Sequence, residues 1–190
     1  MATLDRAAIE VMGFASVGEN VRISALASFY GCARISIGND VRIDDFCVFS
    51  AGDGGIVIGN NVHVAVYSSL IGAGKITLSD FSNISSRVSI YSSSDDYSGA
   101  TMTNPTVPEQ FKTVDHADVY VGRHVIIGCG SIVLPGTSLN DGVAVGALSL
   151  MQGECAGFGI YAGVPAKRLK ERQRDLLELE KIYLAGRPHI

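Results

Sequence analysis

The residues best suited to chemistry in this 190-residue chain gather where its internal pattern breaks. Between Ile90 and Val119 the chain reads Tyr91-Ser92-Ser93-Ser94-Asp95-Asp96-Tyr97, then Asn104-Pro105, Pro108 and Glu109 to Asp118, with no period of two or 3.6. Adjacent carboxyl groups repel one another's charge. Asp95 or Asp96, partly buried, would therefore have a raised pKa and could act as a base. His116, at the returning end, stands beside Asp115 and Asp118, which could orient a ring nitrogen for the same task. Such a base could take a proton from a polar group of a ligand, with Tyr97 as a candidate contact for that ligand. Loops beyond about 12–15 residues in a compact domain are usually functional or disordered. Segment 91–118 is the expected seat of the reaction.

The other reactive side chains point elsewhere. His63 and His124 occupy outward repeat positions, and His189 is at the chain's end, so the four histidines lack the close pair and distant third of a shared metal site. No metal is expected. Cys32, Cys47, Cys129 and Cys155 show no short paired spacing, and Cys47 and Cys155 fall in small inward columns as buried thiols. Lys167, Arg168, Lys170, Arg172 and Arg174 place five cations within eight residues, against Glu171 and Asp175. A run of this kind is a solvated face or an anion site.

These groups hang on a repeat. The anchors Val17, Ile37, Ile58, Leu78, Val121 and Leu139 are each followed four and six residues later by apolar or β-branched side chains, with Ser82 an exception. A small residue comes ten after the anchor (Ala27, Cys47, Ser68, Val88, Ser131, Ser149). A large one comes twelve after it (Phe29, Phe49, Leu70, Ile90, Val133, Met151). This is the hexapeptide repeat of a parallel β-helix, in which three short strands make one triangular coil. Coils stack at about 4.8 Å. Gly18, Gly38 and Gly59, with the Asn and Asp residues after them, read as turns that need unusual backbone angles. The anchors step by 20, 21, 20, 43 and 18 residues, so one coil carries the long insertion. Asn83 and Arg87, on the coil just below it, are candidates to hold the ligand's polar groups.

Solenoid ends need covers. Residues 1–15, with Leu4, Ala7, Ala8 and Met12 at helical spacing, read as an N-terminal cap. Residues 16–164 are the β-helix, and residues 165–190 a C-terminal helix and tail opening at Pro165. The class is all-β, one domain with a long inserted loop. Glycine, at 22 residues, fits the many turns. The net charge of −4 gives no support to nucleic-acid binding. No apolar stretch of about 18 residues and no signal-peptide pattern is seen, so the expectation is a cytoplasmic protein without membrane insertion.

The stretch VGRHVIIGCGSIVLPGTSLNDGVAVGALSLM (121–151), followed by IYAGVPAKRLKER, resembles the C-terminal half of the hexapeptide-repeat acyltransferases. The nearest group is the galactoside/maltose acetyltransferase-like sugar acetyltransferases of O-antigen and capsule synthesis. That resemblance implies a left-handed β-helix, a homotrimer, and acetyl-CoA lying in the groove between neighbouring prisms. It assigns the pantetheine arm to Gly128, Cys129, Gly146 and Ala147, with Ser149 nearby, and the CoA phosphates to Lys167, Arg168 and Lys170.

One position departs from the family. Its catalytic histidine would stand where this chain has Asp95, so either a carboxylate or His116 takes the role, or the acceptor is an amine that needs less help. The expected reaction is direct attack on the thioester in a ternary complex, without a covalent enzyme intermediate. Three readings stand open. The first is O-acetylation of a sugar or glycan precursor. The second is N-acetylation of a nucleotide-linked amino-sugar. The third is a non-catalytic trimeric scaffold.

Overall fold

A computed structural model describes residues 2–186. His189 and the rest of 187–190 lie outside it. The repeat folds as a three-sided parallel β-solenoid of about seven coils, whose faces are sheets of seven, eight and six strands. Strand neighbours are one coil apart in register: Arg22 pairs with Arg42, Arg42 with His63, and His63 with Asn83. From the second coil onward every column of the repeat points inward and is buried, from Ile37, Val41, Ile43, Cys47 and Phe49 to Leu139, Val143, Val145, Ser149 and Met151. A further inward column stands two residues before the anchors, with Ile35, Ile56, Ile76, Val119 and Thr137. Each fully buried large aliphatic contributes about 1.5–3 kcal/mol. Burial also pushes the Cys47 thiol up to about 11, so it stays protonated and inert.

The corners divide two tasks that sequence reasoning had merged. Left-handed backbone falls on Asn20, Asp40, Asn61, Phe81, His124 and Gly142, three residues after each anchor, and not on the glycines that follow the anchors. Those glycines are small because the next coil leaves no room. A Cβ on Gly38 would lie 2.6 Å from the Gly59 carbonyl oxygen. Two residues after the anchors, Asn39, Asn60 and Asp80 each accept the backbone N–H of the residue one coil below: Glu19 (2.7 Å), Asn39 (2.8 Å) and Asn60 (2.7 Å). The glycine of one coil and the Asn or Asp of the next therefore form a clamp between coils.

At the N-terminus the residue that covers the first coil is Ile9, not the face of Leu4, Ala7, Ala8 and Met12 that the spacing suggests. Asp5 caps helix α1 (Arg6–Val11) by accepting the Ala8 N–H at 2.8 Å, and Ile9 is buried against the first coil. The C-terminal expectation needs correction. No helix starts at Pro165. Residues Ala166–Glu171 form a strand antiparallel to Gly159–Gly163, because the last coil presents an open edge whose N–H and C=O groups need partners. Helix α2 (Leu176–Ala185) begins only afterwards and folds back along the first corner. There Glu180 takes Arg123 and His124, and the Tyr183 hydroxyl donates to Asn61 Oδ1 at 3.1 Å. Burial and the cations Arg123 and Arg172 push His124 down. The ring stacks on Phe81 and donates its Nε2 proton to Glu180. Among the described residues no helix is long and apolar enough to cross a membrane.

Gly38→Ala tests the clamp. The added methyl must push the second and third coils apart, at a cost of about 1–3 kcal/mol. Urea denaturation should show a lower midpoint with unchanged slope, and an unaltered midpoint would contradict the close-stacking role.

Candidate active site

The break in the repeat opens at the third corner, between the fourth coil's last strand (Ser89–Tyr91) and the fifth coil's first (Val119–Val121). It is not a structureless loop. Ser93–Asp95 pairs antiparallel with Val114–His116, so the excursion leaves the prism as a two-stranded arm. Its root is pinned by four contacts. Ser92 Oγ donates to the Gly74 carbonyl (2.7 Å), and Ser93 Oγ accepts the Ala73 N–H (2.7 Å). The Ala117 N–H donates to the Ser92 carbonyl (3.1 Å), and Asp118 accepts the Lys75 N–H (2.8 Å).

The register sorts the expected bases. Ser93 faces His116, Ser94 faces Asp115, and Asp95 faces Val114. Alternation puts Ser93, Asp95, Val114 and His116 on one surface of the arm, with Ser94 and Asp115 on the other. The arm thus brings Asp95 and His116 together. Asp115 is turned away and Asp118 is spent at the root, so neither orients the ring. That partner is Ser93, whose hydroxyl lies 2.7 Å from His116 Nδ1. In the tautomer that donates Nδ1–H to Ser93, Nε2 carries the lone pair a base requires.

Asp96 does not fit the expected role. Its carboxylate accepts the N–H groups of Ser98 and Thr101 (both 2.8 Å) and the Thr101 hydroxyl (3.0 Å). Those hydrogen bonds hold it well below the ordinary carboxylate range, the reverse of the raised value expected from Asp95 beside it. It shapes the arm's turn. Tyr97, at 92% exposed, stands at the arm's outer end, on the third corner and away from Asn83 and Arg87 of its own chain.

At the second corner the structure gathers three expected residues. Arg87, Cys129 and Ala147 line one open trough of about 500 Å³ with Val66, Tyr67 and Leu148. Its lining is largely apolar, a fit for a thin thioester arm. Gly128 is close-packed rather than open, since a Cβ there would meet the Ala147 nitrogen at 2.5 Å. Ser149 is corrected outright. It is buried, its hydroxyl donates to the Gly146 carbonyl (2.8 Å) and accepts the Gly163 N–H (3.2 Å), so it cannot meet a ligand. Lys167, Arg168 and Lys170 are exposed on the edge strand instead of a helix, and Arg168 is paired with Glu171.

Asn83 has a setting the sequence did not reveal. On the second face, Asp44 Oδ2 lies 2.9 Å from His63 Nε2, and His63 Nδ1 lies 3.1 Å from Asn83 Oδ1. Asp44 Oδ1 accepts Arg42 Nε at 2.7 Å. Burial pushes the Asp44 carboxyl up, but hydrogen bonds from His63 and Arg42 outweigh it and hold it below its ordinary value. This chain of contacts orients the Asn83 amide across the face. The only sequence signal was that Arg42, His63 and Asn83 share one repeat position, five after the anchor. Among the described residues no group of three or more His, Cys, Asp or Glu could hold a metal.

No family model matches the chain. It is 59% identical over 183 residues to the dTDP-4-amino-4,6-dideoxy-D-glucose acyltransferase of Escherichia coli, covering 96% of this chain and 95% of that enzyme. WbbJ of Escherichia coli K12, described as an O-acetyl transferase of lipopolysaccharide biosynthesis, is 32% identical over 76% of this chain and 72% of its own length. Among solved structures, AntD, an N-acyltransferase of Bacillus cereus, superposes with TM-score 0.93 at 42% identity, over 98% of this chain and 99% of that one. It was solved with dTDP-4-amino-4,6-dideoxyglucose and coenzyme A. Another AntD structure holds dTDP and 3-hydroxybutyryl-CoA. Galactoside acetyltransferase in complex with coenzyme A shares the fold alone (TM-score 0.61, 19% identity, covering 88% of this chain and 69% of that one).

The depressed Asp44 pKa sets a pH test. Its stabilisation is complete above the unfolded carboxyl value near 4 and is lost as pH falls through the lower folded value. Asp44→Asn should cost about 1–3 kcal/mol at pH 7, with the gap to wild type closing as pH falls below about 4. Equal denaturation curves at pH 7 would remove Asp44 from the ladder.

Proposed function

The chain belongs to the hexapeptide-repeat sugar acyltransferases, and we propose that within them it acetylates the amine of a nucleotide-linked amino-sugar, with acetyl-CoA as donor. What carries this reading is the end-to-end likeness to an acyltransferase of dTDP-4-amino-4,6-dideoxy-D-glucose. The chemistry agrees with it. An amine, once deprotonated, attacks a thioester without the strong base a hydroxyl needs, and the chain has Asp95 where the wider family has histidine. O-acetylation of a glycan precursor is the second reading, favoured by the likeness to WbbJ.

The active site is formed between copies of the chain, in a homotrimer working in the cytoplasm. The geometric support is simple. Asp95 and His116 leave from the third corner, whereas the trough is at the second and Asn83 on the face opposite the arm. One side of the prism is a six-residue unit, about 20 Å long when extended, so a single copy cannot join these groups. A neighbouring prism brings its arm alongside.

Donor and acceptor then bind together. The pantetheine arm follows the trough past Cys129 and Ala147, and Lys167 and Lys170 meet the CoA phosphates. Asp95 accepts a hydrogen bond from the amine and draws it towards the thioester, with His116 Nε2 on the same surface to take the proton. The nitrogen attacks the carbonyl carbon and a backbone N–H steadies the oxyanion. The C–S bond breaks as the amide forms, and the CoA thiolate leaves to be protonated from water.

A thiol-release assay with nucleotide-linked amino-sugars, simple sugars, acetyl-CoA and a longer acyl-CoA tests the assignment. The nucleotide-linked amine with acetyl-CoA should be the best pair. His116→Ala should lower kcat by about 10²-fold, within the range general-base help supplies, and Asp95→Ala, which removes the hydrogen bond that positions the amine, should lower it as well. Full kcat in both variants would refute the proposed site, and release with hydroxyl sugars alone would select the second reading. Acetyl-CoA at 100 times its Kd should add about 2.7 kcal/mol of stability. No stabilisation at all would leave only a scaffold.

A further inference from the structure

One outward column of the second face changes character along the prism. Five residues after the anchors stand Arg22, Arg42, His63 and Asn83 on coils one to four, then Ile126 and Ala144 on coils five and six, with Ile160 five after Cys155, which continues the anchor column on coil seven. The change from polar to apolar falls at the level where the arm leaves the prism, after the fourth coil. A ligand that crosses this level meets apolar wall on one side and cations on the other.

The two arginines are in an unusual state. They are paired directly across a parallel ladder, where like charges repel. Arg42 is anchored through Nε by Asp44, a contact that does not use its two terminal nitrogens. Among the described arginines Arg22 alone has no ion pair, ring contact or side-chain hydrogen bond. The others are held by Glu10, Asp53, Asp44, the Tyr67 ring, Asp80 with Glu180, Glu171, backbone carbonyls, or the Phe158 ring. The pair opens onto a polar cleft of about 520 Å³ whose remaining walls include Asn20 and Asp40. Asp40 is the one carboxylate in that lining, and Asn20 Nδ2 donates to it at 3.2 Å.

From this we infer that Arg22 and Arg42 bind the diphosphate of the nucleotide-linked acceptor, a reading that rests on the function proposed above. A diphosphate cancels the repulsion between two stacked guanidinium groups and accepts their N–H groups in a fork. Spacing supports the acceptor over the donor. If copies are related by rotation about an axis parallel to the prism, a neighbour's arm stays at the fourth-coil level. Arg42 then lies two coils below the reacting amine, about 10 Å along the axis. That separation suits a hexose ring and its diphosphate, with the arginine's own length to spare. CoA also carries a diphosphate, but its proposed cations, Lys167 and Lys170, are at the opposite end.

Arg22→Gln and the charge-keeping Arg22→Lys test the assignment by calorimetry with dTDP and by steady-state kinetics with both substrates. Arg22→Gln should weaken dTDP about tenfold and raise KM for the nucleotide-linked amino-sugar similarly, with KM for acetyl-CoA moving less than twofold. Arg22→Lys should recover part of the loss. Unchanged dTDP affinity in Arg22→Gln, with wild type binding dTDP and turning over, overturns the arginine assignment alone. A rise confined to KM for acetyl-CoA overturns it in favour of the CoA diphosphate. Wild type that neither binds dTDP nor prefers nucleotide-linked amines overturns this inference together with the function beneath it.

Discussion

Everything in this molecule depends on how closely one coil can sit on the next. At the first corner that contact is backbone on backbone, with a glycine whose absent Cβ leaves room for the carbonyl of the coil above. The Asn or Asp of the coil above locks the contact by accepting the N–H of the residue that follows the glycine. The interior adds burial, but burial alone is indifferent to a slip between coils of similar residues. The corner clamps set the register, and the register places each outward side chain directly over its counterpart one coil away.

A stack so constrained leaves little freedom for function, and the chain uses what remains. Outward columns can change from coil to coil without disturbing the core. The column of Arg22, Arg42, His63 and Asn83 does so, passing to Ile126, Ala144 and Ile160 at the arm's level. The other freedom lies at a corner, where extra residues project without breaking the ladders on either side. The arm with Asp95 and His116 is that extension, and its root bonds carry prism rigidity into the first residues of an otherwise exposed segment. Rigid wall and projecting arm stand at different edges of one copy.

The second corner shows how the same backbone serves two ends. Gly128 reads equally well as a ligand contact and as a stacking residue, and packing against Ala147 decides for stacking. Ser149, in the small inward column, closes hydrogen bonds inside the prism. The exposed Cys129 and Ala147 keep a surface that a ligand could touch. Small residues in a solenoid are answers to backbone distance first, and ligand approach is what the neighbouring positions add.

The periodic apolar columns, the small columns, the corner residues and the single break determine by themselves a three-sided β-solenoid with an insertion at 91–118, because a period of six has few other physical solutions. The burial of Cys47 and Cys155 follows from the same arithmetic. Asp96 and Ser149 could not be judged that way, since their hydrogen-bond partners come from turns and coils whose approach is three-dimensional. Nor could the strand at 166–171 be seen in a run with helical spacing, because what recruits it is the open edge of the last coil. The pairing of His116 with Ser93, and the Asp44–His63–Asn83 ladder, were likewise decided only by folding. Local pattern dictates which residues face in and where the chain turns, while partners distant in sequence choose which polar group is spent on structure and which is left for a ligand.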